Sequence, residues 1–128
     1  MAVTGRFTTA ILFAAMLLHA EAAPAQYDPE WRSCTGNDDV DWDLQLWVCT
    51  ALINPADGSE SVARALRNRG FAWMHKDLWV VAIRDFSASI DINPRDGAPY
   101  YGRALAKQEL GDKAGAQSDM AKSRSIGR

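Results

Sequence analysis

Few side chains in this sequence could do chemistry. It holds two cysteines, Cys34 and Cys49, and two histidines, His19 and His75. Four acids, Asp38, Asp39, Asp41 and Asp43, lie between the cysteines. A redox dithiol usually takes the form C-x-x-C, whereas Cys34 and Cys49 stand much farther apart. A structural zinc site takes about four ligands, too many for two thiols and His75. The acidic run lacks the glycine and terminal glutamate of an EF-hand calcium loop. No Gly-rich phosphate loop, nucleophile elbow or metal motif appears. The sequence therefore offers no catalytic residue, no metal site and no cofactor site.

What the cysteines do depends on the compartment. Arg6 precedes an apolar run, Phe7 to Leu18, that is shorter than the roughly 20 residues needed to span a bilayer. Two small-x-small sites follow, Ala20-Glu21-Ala22 and Ala23-Pro24-Ala25. Residues 1–25 read as a secretory signal peptide, cut after Ala22 or Ala25; a retained anchor is the other reading. Export places the chain in the periplasm or outside the cell, with no membrane association after cleavage. An even number of cysteines in an oxidising compartment predicts a Cys34–Cys49 disulfide.

The 128 residues are enough for one domain. A formal net charge of −2 argues against a nucleic-acid partner, which usually meets a basic face. The charge is uneven. Residues 26–57 carry seven acids against Arg32 alone, and residues 58–128 carry twelve Lys and Arg against eight acids. Such asymmetry can steer a partner, or simply place acids at a helix start.

The elements that must position these residues are helical. Gln26 to Asn37 is rich in turn formers and reads as an irregular lead-in, with Tyr27 or Trp31 packing back on the first helix. Val40 to Ile53 follows, capped by Asp38 or Asp39. Trp42, Leu46, Cys49 and Ile53 share one face, widened by Leu44, Trp47, Val48 and Leu52. Asn54-Pro55 ends it. Asp57 and Glu60 have capping-box spacing before a helix from Ser61 to His75, with Val62, Leu66, Arg69, Gly70 and Trp73 inward. Leu78 to Ile92 is next, with Trp79, Ala82, Ile83, Phe86, Ser89 and Ile90 inward and small Ala82 set against small Gly70. It stops at Asn93-Pro94. Gly97 to Leu110 and Lys113 to Ile126 complete about five helices. The last has a polar outer side of Lys113, Gln117, Lys122 and Arg124, suited to closing a stack.

Part of the sequence returns at a fixed interval: Arg69/Arg103, Ala72/Ala106, Ala82/Ala116, Asp85/Asp119, Ser89/Ser123 and Ile92/Ile126. A helix–turn–helix period of about 34 residues resembles the tetratricopeptide repeat (TPR). Leu66, Gly70, Trp73, Ala82, Phe86 and Pro94 fill the family's signature positions in a first full unit, within 58–96. Tyr100, Ala104, Ala116 and Met120 do so in a degenerate second unit, 97–128. Residues 26–57 then hold a lead-in and a half-repeat-like helix. Its register against the next unit follows either from setting Cys49 on Phe86 or from matching the Ile-Asn-Pro tripeptides at 53–55 and 92–94, and the two disagree. A plain helical bundle is the competing architecture.

The resemblance implies an all-α, TPR-like α-α superhelix, a right-handed solenoid fragment with one N-terminal disulfide. It implies a non-catalytic protein–protein interaction module that binds a peptide or partner helix on its concave face. The candidate binding residues on that face are Arg64, Arg67, Asn68, Phe71, Tyr101 and Leu105, with His75 and Gln108 nearby. Arg67 would pair with a carboxylate, while Phe71 and Tyr101 would act as aromatic anchors. The family's carboxylate clamp is not carried over, because Phe71, Ala98 and Gly102 match it poorly. An Arg103–Asp85 pair is expected between units. The alternative function is a structural or assembly subunit of an envelope complex without a peptide groove.

Overall fold

The computed structural model describes residues 29–36 and 41–127. Residues 1–25, read from the sequence as a signal peptide, and Tyr27, Asp38 and Asp39 lie outside the described residues. Among the described residues there are six helices and no strand: α1 (Pro29–Thr35), α2 (Trp42–Leu52), α3 (Glu60–His75), α4 (Trp79–Ile92), α5 (Gly97–Glu109) and α6 (Lys113–Ile126). The disulfide Cys34–Cys49 is formed.

Helix α1 corrects the irregular lead-in expected from the sequence. Pro29 opens it, where a fixed φ suits a first helical turn. Gly36, at φ 67°, follows its end, in the left-handed conformation that glycine adopts without steric cost. The cap of α2 is Asp41, whose side chain accepts from the Asp43 amide at 2.8 Å. The cap of α3 is Ser59, accepting from Val62 N, so the Asp57/Glu60 capping box is not the one used. Asp57 instead accepts from the Ser59 amide at 2.9 Å, an Asx-turn one step earlier. Asp96 and Asp112 cap α5 and α6 through the amides of Ala98 and Gly115.

Each helix packs on the next, and α1 also touches α3 and α3 touches α5. The result is three helical hairpins in a row. Helix α3 thus also lies beside α1 and α5, the first helices of the hairpins before and after it. At the N-terminal end α1 packs on α2 as a short hairpin.

Two hairpins repeat the same polar frame. Arg69 donates to both carboxylate oxygens of Asp85, at 2.7 and 2.8 Å, and its third nitrogen reaches Thr50 Oγ1 at 3.2 Å. Arg103 does the same to Asp119, at 2.8 and 2.7 Å, and reaches Ser87 Oγ at 3.1 Å. Ser89 donates to the Ala63 carbonyl and Ser123 to the Gly97 carbonyl. These pairs correct the expectation of an Arg103–Asp85 bridge. Each aspartate faces the first helix of its own hairpin, and the arginine crosses to the preceding hairpin only through a hydroxyl. Thr50 stands to Ser87 as Cys49 stands to Phe86. The hydrogen bonds Arg69–Thr50 and Arg103–Ser87 follow the spacing that sets Cys49 on Phe86.

Phe86 is the centre of the second hairpin and is fully buried. A Cβ on Gly70 would come within 2.7 Å of its ring, and one on Gly102 within 2.4 Å. Gly70 therefore permits close approach, as its place in mid-helix suggests, but its neighbour is Phe86 rather than Ala82. In the first hairpin Cys49 holds the place of Phe86. The buried disulfide packs with Val48, Ala65, Trp31, Leu52 and Ile53. At the other end, Lys113, Gln117 and Arg124 stand where the preceding hairpin has Trp79, Ile83 and Ile90.

Candidate interaction surfaces

The sequence-derived binding residues divide on inspection. Arg64 is exposed, and its guanidinium stacks 4.7 Å over the Trp31 ring of α1. Arg67 is already paired: it donates to Asp96 at 2.6 Å and to the Asn68 side-chain oxygen at 3.3 Å. The carboxylate that Arg67 meets is Asp96, the acid that caps α5. Asn68 is buried, and its Nδ2 has no hydrogen-bond partner among the described residues. A buried amide donor normally finds one.

Phe71 is half-buried, with its ring edge-on to Phe86 at 4.9 Å and 68°. It belongs in part to the core. Tyr101 is 46% exposed. Leu105, one turn along the same side of α5, is half-buried, and Gln108 is exposed. His75 is exposed and lies flat on Trp42, with ring centroids 3.7 Å apart. Arg67 and Asn68 are thus brought together, Tyr101 and Leu105 are neighbours, and Arg64 is turned toward α1.

Sequence periodicity misjudged the outer side. Leu44 and Trp47 do not widen a buried face: they are 48% and 70% exposed. The disulfide fixes the phase of α2, and Trp47 lies about 200° around the helix from Cys49. Leu78, Val80 and Leu110 are also exposed, at 43%, 53% and 49%. With Asp77, Trp79 and Val81 they line a shallow cleft of about 200 Å3.

The strongest electrostatic feature is structural. Burial pushes the Asp119 carboxyl up, but hydrogen bonds from Arg103 and Lys107 outweigh it and hold the group below its ordinary value. The hydrogen bond to Asp119 raises the Arg103 guanidinium against the opposing effect of burial. A carboxylate depressed on folding contributes stability that is complete above its unfolded value, about 3.9, and lost as pH falls through the folded one. Asp119→Asn is therefore expected to cost about 2 kcal/mol near neutrality. Thermal melts of the two proteins should converge as the pH drops below the ordinary aspartate range.

Among the described residues no group of three or more His, Cys, Asp or Glu is placed to hold a metal ion. Among the same residues no helix is long and apolar enough to cross a membrane. No family model, curated protein or solved structure matches the chain.

Proposed function

We propose that the chain is a TPR-like, non-catalytic protein–protein interaction module of the periplasm or cell exterior. It binds a peptide or partner helix on the side formed by α3 and α5. The observation that carries this reading is where the reactive groups have gone. Cys34 and Cys49 are bridged, and Arg69, Arg103, Asp85 and Asp119 are spent on the internal frame. Large apolar and aromatic side chains are exposed among the described residues: Trp42, Leu44, Trp47, Leu78, Val80, Tyr101 and Leu110. The return of the Arg–Asp frame from the second hairpin to the third supports the repeat architecture. The disulfide and the signal-like residues 1–25 support export.

On α5, Tyr101 is the exposed aromatic and Leu105 its half-buried apolar neighbour. Tyr101→Ala should abolish capture of the partner while leaving the helical circular dichroism and the melting temperature unchanged. Phe71→Ala is the poorer probe, because its contact with Phe86 couples it to stability. Undiminished binding by Tyr101→Ala would move the site elsewhere. A second reading, an assembly subunit without a peptide groove, is favoured by one observation: most of the exposed apolar side chains lie away from α3 and α5.

A further inference from the structure

We propose that Asp57 is a site of spontaneous backbone modification: the Asp57–Gly58 step isomerises through a cyclic imide to isoaspartate, while the Asp96–Gly97 step is protected by the fold. These are the two Asp-Gly steps of the sequence, and each lies at the start of a hairpin's first helix, α3 or α5. A glycine after the aspartate favours the reaction, because no Cβ hinders the amide nitrogen that must turn onto the carboxyl carbon. Sequence alone makes the two steps equivalent, and the structure separates them.

At 57 the reacting groups are free to meet. Asp57 and Gly58 are both exposed. No cation pairs with the Asp57 carboxylate among the described residues. Its Oδ1 accepts from the Ser59 amide at 2.9 Å, a turn that curls the carboxyl back over the Gly58 peptide. The Gly58 N–H makes no hydrogen bond among the described residues. Attack of the Gly58 nitrogen on Cγ forms a C–N bond and builds negative charge on a carboxyl oxygen. The Ser59 amide already donates to such an oxygen, an arrangement that stabilises the developing charge. The hydroxyl of the protonated acid leaves as water with the amide proton, closing the five-membered imide. Water then adds at the main-chain carbonyl carbon of Asp57 and breaks its bond to nitrogen. The chain now continues through Cβ and Cγ, with its mass unchanged.

At 96 the same groups are held apart. Asp96 Oδ1 accepts from the Ala98 amide at 3.0 Å and Oδ2 from Arg67 at 2.6 Å, so both oxygens are fixed. Gly97 is the first residue of α5 and is half-buried. Its carbonyl accepts from Ser123 Oγ of α6 at 2.9 Å. Its nitrogen cannot turn onto the Asp96 carboxyl without giving up these bonds. At 57, by contrast, isomerisation gives up only the bond from Ser59. It adds one methylene to the main chain between α2 and α3, and so loosens the joint between the disulfide-bonded hairpin and the next.

Prolonged warm incubation of the folded, disulfide-bonded chain in heavy-oxygen water at neutral pH tests this. Opening of the imide leaves one heavy oxygen at the aspartate. The peptide holding Asp57 should gain that label and divide into two chromatographic species of equal mass, with fragmentation placing isoaspartate at 57 in one of them. Asp96 should stay unlabelled. In the chain unfolded by urea, both positions should take up label. Gly58→Ala adds a Cβ that meets nothing within 4 Å. It should slow labelling at 57 several-fold, with the helical circular dichroism unchanged. An Asp57 that stays unlabelled in the folded chain would overturn the proposal, as would equal labelling of 57 and 96 there. So would an Asp96 that stays unlabelled even in urea, because the contrast would then not come from the fold. Capture of a partner at Tyr101 is a separate measurement, and neither result decides the other.

Discussion

Phe86→Ala should lower the stability of the fold by about 3–5 kcal/mol, the range for removing a buried aromatic ring. The site leaves little room to recover. Gly70 and Gly102 flank the ring from α3 and α5, and neither has a side chain to fill the void. The ring is fully buried, and Phe71 loses the partner of its edge-on contact. A cavity that cannot collapse costs more than the transfer of the lost atoms alone. Phe86 also lies where the second and third hairpins meet, so its loss should uncouple α5 and α6 from the rest. Urea unfolding followed by circular dichroism would read the effect. A midpoint that moves little, with the slope unchanged, would mean that the hairpins are held together elsewhere.

Replacing both cysteines by alanine should cost about 3 kcal/mol, the chain-entropy value for a loop of this length. Alanine is the better substitute, since serine would bury a hydroxyl among Val48, Ala65 and Trp31. For a fold of this size that energy corresponds to a fall in melting temperature of roughly 12–24 °C. The loss should fall most heavily on the first hairpin. Helix α1 has seven residues, too few to persist alone in water, and the bridge fastens it to α2. Amide exchange should therefore report α1 as the first segment to open in the double variant. Equal protection of α1 with and without the bridge would place its stability in Trp31 and the packing around it.

Much of the helical order was legible because its signals are local. The Asn-Pro steps at 54–55 and 93–94, the Gly111 turn and the helical spacing of apolar residues mark α2 to α6. Helix α1 was not legible, because two turns are too short for periodicity and its persistence depends on contacts far along the chain. Trp47 was misjudged for a related reason: Leu44, Leu46, Trp47 and Val48 crowd α2 with apolar residues, and only the bridge at Cys49 sets which side turns inward. The recurrence of Arg69, Asp85, Arg103 and Asp119 was plain in the sequence, but not which arginine meets which acid. That depends on the rotation of each helix about its axis. Asp96 was missed as the partner of Arg67 because a capping acid gives no sign that its second oxygen faces another helix. Tyr101 is open to solvent and Leu105 partly so.

The most direct test of the interaction-module account is a photo-cross-linking residue at position 101 of the chain in its export compartment. The account predicts a discrete protein adduct from that position, lost when Leu105 is replaced by glutamate in the same chain. No protein adduct at 101, from a chain whose helical circular dichroism is intact, would contradict it.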